Sequence, residues 1–329
     1  VGGTSITVMG LVSAPGYRDD SERVDAVHDG IEFILETLDH ERMSADFIGG
    51  YDVRGWGHIY ALTCLLHLQD FGLIPKGVED DAKAKTEWLV KTLVESAIPK
   101  AGGWNYSRRA GYLSPRNSAS TFMTAPALQA LFHAKSRGYS VPDGVVEEAL
   151  TALDRSRTKV GGYAYGSGRK NLNEQSEEQL RFMDLGPSSA ARAAVCETTM
   201  MLAGRGDKKR HRVALELFFK HWDDLAVRKS QRGTHIKPYG IAPYYFMFGH
   251  LYCAQAIELI EDTKLRDGFR MQMRQILARS VDESGTWNDR QFGRSAGYGT
   301  AMALMTMNMA RLPKPHSWSA GDAQVKGKR

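Results

Sequence analysis

Two short segments repeat a histidine and a tyrosine at the same spacing, GHIYA at 57–61 and GHLYC at 249–253. Each lies near the start of an apolar, small-residue-rich run, which places His58, Tyr60, His250 and Tyr252 near the starts of two helices pointing into one cavity. An imidazole that titrates near neutrality beside a phenol can act as acid and base, or the pair can hold a polar head group. The plainer reading has each histidine bonding a neighbouring turn and each tyrosine packing between helices. Glu197 stands in the apolar stretch AAVCETT at 193–199, where burial would raise its pKa and make it a proton donor, unless Arg192 or another arginine neutralises it. Asp289 and Arg290, with Arg294, sit in the last glycine turn and suit either a site or a corner locked by ion pairing.

Aromatic residues form a second set. Tyr239, Tyr244, Tyr245, Phe246, Phe248 and Tyr252 are the densest group in the chain and suit an apolar pocket, a sugar-stacking groove or plain core. Together with the aromatics of the glycine turns they give the expected ligand contacts: Trp104, Tyr163, Tyr244, Tyr245, Trp287, Asp289 and Tyr298. Met302, Met305, Met307 and Met309 would add a soft, adaptable wall.

The elements that must carry these residues follow a repeat of about six units. Each is a glycine pair or glycine-aromatic turn, then a helix apolar on all sides, then a helix with one apolar stripe and one charged face. The turns fall at Gly2, Gly49–Tyr51, Gly102–Tyr106, Gly161–Tyr165, Pro238–Gly240 and Gly285–Asp289. Glycine supplies the positive φ of such corners, and the following aromatic wedges between hairpins. Helices apolar all round, at 4–14, 60–68, 119–134, 190–203, 245–259 and 299–310, belong inside. Amphipathic helices at 21–38, 80–96, 143–154, 211–227 and 265–280 form an outer layer, and the sixth outer helix would precede Gly2. That absence, and the opening at Val1 directly into a repeat unit, point to an upstream segment, compatible with export on a removed signal. The fold class is therefore all-α, an (α/α)6 toroid lacking its first outer helix, at 1–312, with a tail at 313–329 that is flexible or docked elsewhere. Loops at 107–118 and 166–189 are long enough to be functional.

Composition narrows the partners. The 43 basic and 38 acidic residues leave a formal charge of only +5, and the basic run Lys208–Arg212 reads as a solvated loop, so nucleic acid is not expected. No stretch is long and apolar enough to span a membrane, and Cys64, Cys196 and Cys253, odd in number and within apolar runs, read as free buried thiols.

GGWNY at 102–106, GGYAY at 161–165 and GTWNDRQFGRSAGYGTAMALMTMNM at 285–309 resemble the repeats of the prenyltransferase and squalene cyclase group, over about residues 2–309. The resemblance implies a toroid whose central cavity holds a polyisoprenoid chain. The catalytic signatures of that group are absent. Asp19–Asp20, Asp80–Asp81 and Asp223–Asp224 are bare pairs that extend to neither DxDD nor DDxxD, and His250 and Cys253 have no Asp and Cys partners near Glu197 for a zinc set. No metal and no cofactor are assigned. The leading expectation is a noncatalytic or divergent toroid that binds an isoprenoid-like molecule or a protein partner centrally. A glycan hydrolase or lyase is the enzyme alternative, with His58, Tyr60, Glu197, His250 and Tyr252 active and Asp52 or Asp289 as the second acid that a two-carboxylate mechanism needs. A scaffold domain of a larger protein is the third reading, favoured if side chains fill the cavity.

Overall fold

The structure, a computed structural model, describes residues 1–44, 47, 53–105, 119–168 and 171–319. Six helices form the inner layer: α1 Gly2–Ser13, α3 Arg54–Phe71, α5 Thr121–Ser136, α7 Gly186–Leu202, α10 Tyr245–Ile257 and α12 Ala296–Asn308. Behind them lie α2 Ser21–Leu38, α4 Glu79–Ser96, α6 Asp143–Arg155, α8 Lys208–Lys220 with the short α9 Trp222–Ala226, and α11 Thr263–Ala278. Hydrophobic pattern separates the layers. In α7 every residue from Gly186 to Met200 is buried, which an outer position would forbid. In α2 only Val27, Ile31, Ile34, Leu35 and Leu38 are buried, a single stripe at helical spacing.

Each inner helix packs on the next, and α12 returns to α1, so the ring closes. Closure requires small residues. A Cβ added to Gly10 of α1 would stand 2.5 Å from the Ala301 Cβ of α12, so the backbones meet closer than any side chain at residue 10 permits. The protein is thus an all-α toroid with six inner helices, and among the described residues no outer helix backs the α1–α12 seam. The expected outer helix at 211–227 begins at Lys208 and breaks at His221, where α9 starts.

The two mouths of the ring differ. Connections from inner to outer helices (14–20, 72–78, 137–142, 203–207 and 258–262) are short and lie at the carboxyl ends of the inner helices. Those from outer to inner (39–53, 97–120, 156–185, 227–244 and 279–295) are longer, and their described residues lie at the amino ends. Residues 312–318 cross the carboxyl-terminal mouth as a strap. The Trp318 N–H donates to the Leu202 carbonyl at 2.9 Å, and its ring lies 5.4 Å from Phe132 and 5.5 Å from the Lys135 ammonium. Residues 320–329, the turn at 49–51 and the loop at 107–118 lie outside the described residues.

Candidate active site at the amino-terminal mouth

The glycine-aromatic turns build the mouth. Gly103 has a φ of 78°, and a Cβ there would meet the Thr124 Oγ1 at 2.5 Å. That approach lets the Trp104 N–H donate to Thr124 Oγ1 at 3.1 Å while its indole donates to the Leu93 carbonyl of α4 at 2.8 Å. Trp287 repeats the arrangement, with its N–H on Thr300 Oγ1 at 3.1 Å and its indole on the Leu277 carbonyl of α11 at 3.0 Å. Tyr163 is a third copy, its N–H on Ser189 Oγ at 2.6 Å and its hydroxyl accepting from Arg157 Nε at 3.1 Å. Trp104, Tyr163 and Trp287, expected as ligand contacts, are wedges bonded to the turns and the outer layer.

The two His–Tyr echoes split. His58 is buried, its Nε2 3.0 Å from the Met43 carbonyl and its ring edge-on to Trp88 of α4 at 5.3 Å. His250 accepts the Trp222 indole N–H on Nε2 at 2.9 Å, and its Nδ1 lies 2.8 Å from the Phe246 carbonyl. Both face the outer layer, and burial lowers each pKa to about 4. Tyr60 and Tyr252 point the other way, and their hydroxyls meet at 3.1 Å in the ring's centre. Two residues along a helix are about 200° apart, so a histidine and a tyrosine at this spacing cannot serve one cavity.

Glu197 is likewise withdrawn from the centre. It is buried between Arg157 Nη2 at 3.1 Å and Arg210 Nε at 2.8 Å. Arg192, offered as its partner, instead donates to the carbonyls of Tyr163, Ser188 and Met183 at 3.1, 2.5 and 2.8 Å, bracing the loop before α7.

The amino half of the ring's centre is packed with aromatic rings. Phe122 stacks on Phe248 at 4.0 Å and on Trp56 at 5.2 Å, with Tyr245 at 5.1 Å. A cavity of about 100 Å³ remains at the carboxyl side, lined in part by Tyr60, Gln129, Tyr252 and Met305.

Above the plug stands a polar group that includes Tyr244, Asp289 and Tyr298 from the expected set and His235, which sequence reasoning missed. His235 Nδ1 lies 3.1 Å from the Gly240 carbonyl, and its Nε2 lies 3.4 Å from the Tyr244 hydroxyl. Burial lowers the His235 pKa, so near neutral pH the ring is uncharged. An uncharged ring donating from Nδ1 to a carbonyl presents a lone pair on Nε2. The Arg290 guanidinium lies over the Tyr244 ring at 5.2 Å and the Tyr298 ring at 5.3 Å. Asp289 is wholly buried. Its Oδ2 accepts the Met247 N–H at the start of α10 at 3.0 Å, its Oδ1 stands 3.6 Å from Arg290 Nε, and burial raises its pKa to about 6. Arg294 is exposed and places its guanidinium over Phe292, outside this group. Asp52 lies outside the described residues. Only the proximity of His235 to the aromatic run hinted at its place in this group.

No family model and no curated protein sequence matches the chain. Solved structures do. An inactive variant of the alpha-1,6-mannanase GH76A of Salegentibacter sp. HEL1_6, in complex with alpha-1,6-mannotriose, is similar at 13% identity with a TM-score of 0.55, over 94% of this chain and 89% of that one. The Lin0763 protein from Listeria innocua is similar at 13% identity and a TM-score of 0.51, over 97% and 87%. A possible member of the GH105 family from Klebsiella pneumoniae subsp. pneumoniae MGH 78578 is similar at 12% identity and a TM-score of 0.50, over 94% and 82%.

The chain folds as an (α/α)6 toroid. The neighbours correct the resemblance drawn from the glycine-aromatic turns, since these solved structures include a glycan-active toroid and none is described as a prenyltransferase or squalene cyclase. The turn motifs report hairpin geometry, which unrelated toroids share. The expectation of a central isoprenoid falls with the resemblance, and the aromatic plug agrees, because it occupies the space such a chain would need. Among the described residues no helix is long and apolar enough to cross a membrane.

Proposed function

We propose that the protein is a glycan-active enzyme that cleaves an acidic polysaccharide by β-elimination at the amino-terminal mouth. The observation that carries the reading is the placement of an uncharged imidazole, a phenol and a guanidinium around one half-buried point, in His235, Tyr244 and Arg290. A uronate residue offers an acidic proton at C5 beside its carboxylate. Arg290 would pair with that carboxylate and stabilise the charge that develops as the proton leaves. The proton passes to the lone pair on His235 Nε2, the C4–O bond breaks, a C4–C5 double bond forms, and the Tyr244 hydroxyl protonates the departing oxygen. The likeness to a mannanase toroid lends support at the level of fold.

Hydrolysis by two carboxyl groups fits the described side chains less well, because it needs two acids about 5–10 Å apart with access to substrate. Asp289 and Asp184, two carboxylates of the connections at this mouth, are both fully buried and each accepts a backbone N–H. The experiment is incubation with uronate-containing and neutral polysaccharides, followed by mass spectrometry and ultraviolet absorbance of the products. Elimination gives unsaturated ends that absorb, whereas hydrolysis gives products heavier by one water. Loss of the unsaturated product in Tyr244→Phe and His235→Ala, with folding intact, is expected; hydrolytic products would replace this mechanism with the two-acid one. The packed centre favours a second reading, a scaffold domain, which absence of turnover on every glycan would support.

A further inference from the structure

A second cluster lies at the opposite mouth, and its argument is independent of the glycan reading. Asp70 near the end of α3, His133 near the end of α5 and His316 of the strap bring three potential ligand atoms within 4.8 Å of one another. The Asp70 Oδ2 is 2.7 Å from His133 Nε2 and 4.0 Å from His316 Nε2. The two imidazoles stack at 4.2 Å, 18° from parallel. The geometry points to a binding site for a divalent transition metal of the zinc class, formed by Asp70, His133 and His316, which fastens the strap across the ring.

The donor chemistry supports that class. Two imidazole nitrogens and one carboxylate oxygen form a borderline, mixed set that suits zinc, and three protein ligands leave a fourth position open. Zinc bonds of about 2.0–2.2 Å place tetrahedral donors roughly 3.3–3.6 Å apart, and the two distances to Asp70 Oδ2 straddle that value. Imidazole nitrogens bind a metal in the plane of the ring, so the two stacked rings cannot share one ion as they stand, and His316, the most exposed of the three side chains at 34%, must turn out of the stack for its Nε2 to converge. Arg137 Nη1 holds Asp70 Oδ1 at 2.9 Å, leaving Oδ2 to the metal, the arrangement by which outer hydrogen bonds orient a carboxylate ligand. Its positive charge lowers the affinity relative to a site without it.

The surroundings also fit. The His133 side chain is 5% exposed, so a metal bound there is shielded from bulk water on one side. The cavity of about 100 Å³ is lined by His133, His316 and His67, so the open position has a volume to face. His67 spends its Nδ1 on the Thr63 carbonyl at 2.9 Å and stands edge-on to His133 at 5.1 Å, close enough to contact a ligand held by the metal.

The test uses the full chain, free of histidine tags and stripped with a chelator, titrated with Co²⁺ and then displaced with Zn²⁺. One Co²⁺ per chain with the intense visible bands of a four-coordinate complex is expected. His316→Ala, which alters a residue of the strap and none of the ring helices, should weaken Co²⁺ binding by at least about a hundredfold while circular dichroism stays unchanged. Zn²⁺ should also slow proteolysis after residue 312 in the wild type and not in His316→Ala. A wild type without stoichiometric Co²⁺ bands, or His316→Ala and Asp70→Asn variants that bind as the wild type does, overturns the proposal.

Discussion

Asp289 gives the sharpest energetic test, because its carboxyl is wholly buried and its pKa stands at about 6 against an ordinary 3.8. Each pKa unit is about 1.4 kcal/mol between protonation states, so the ionised carboxylate costs the fold about 3 kcal/mol relative to the protonated acid. The sign follows from a folded pKa above the unfolded one. The stability from the protonated carboxyl is fully present below pH 3.8 and is lost as pH rises through about 6. Between pH 8 and pH 5 the group should return about 1.4 kcal/mol of that total. Asp289→Asn places a neutral amide of the same shape in the site and keeps an oxygen for the Met247 N–H, so it should remove this dependence. Urea unfolding of wild type and variant at both pH values isolates the effect, since all other groups cancel in the difference. The variant should gain on the wild type at pH 8 relative to pH 5 by roughly 1–1.5 kcal/mol. A difference that is the same at both pH values would refute the reasoning, and would mean that Arg290, 3.6 Å away, already neutralises the buried charge.

Other outcomes follow from the wedges and the seam. Trp104→Phe and Trp287→Phe each keep a ring and lose an indole N–H bond to an outer-helix carbonyl, so each should cost about 1–2 kcal/mol in urea unfolding, with the two costs additive. His58→Ala and His250→Ala each remove a buried ring bonded to the outer layer; both should lower the melting temperature and cost about 2–4 kcal/mol, whereas a catalytic role would instead reduce turnover at unchanged stability. Gly10→Val forces a side chain against Ala301 and should destabilise by about 3 kcal/mol or more, read by thermal unfolding; a neutral result would mean that the α1–α12 seam relaxes freely.

The ring was legible in the sequence because its two layers obey different patterns. A helix buried on all sides, such as α7, and one with a single stripe, such as α2, can be told apart by counting apolar positions. The turns were legible for a related reason: Gly103 and Trp104 are a local pair, one supplying a positive φ and the other a wedge. The site was not. His58 and Tyr60 drew attention by recurring with His250 and Tyr252, yet helical phase alone separates them by about 200°. Only the tyrosines reach the centre, and there they bond each other. Glu197 is buried as expected, but its neutralising arginines come from positions 157 and 210, which no local rule would choose over Arg192.

What the sequence could not supply is contact between loops. His235 meets Tyr244 because residues 228–244 fold back on the start of α10, and Arg290 reaches Tyr244 from the following outer-to-inner connection. His316 meets Asp70 and His133 because one tryptophan, Trp318, anchors a segment that has no periodicity of its own. In both places the rigid ring provides the floor and irregular chain provides the partner. The two mouths are then separable by experiment: Tyr244→Phe should leave Co²⁺ binding untouched, and His316→Ala should leave the amino-terminal mouth chemically intact, because the aromatic plug of Trp56, Phe122 and Phe248 stands between them. Coupling between the two variants would mean that the plug moves, and the packed rings at 4.0 and 5.2 Å argue that it does not.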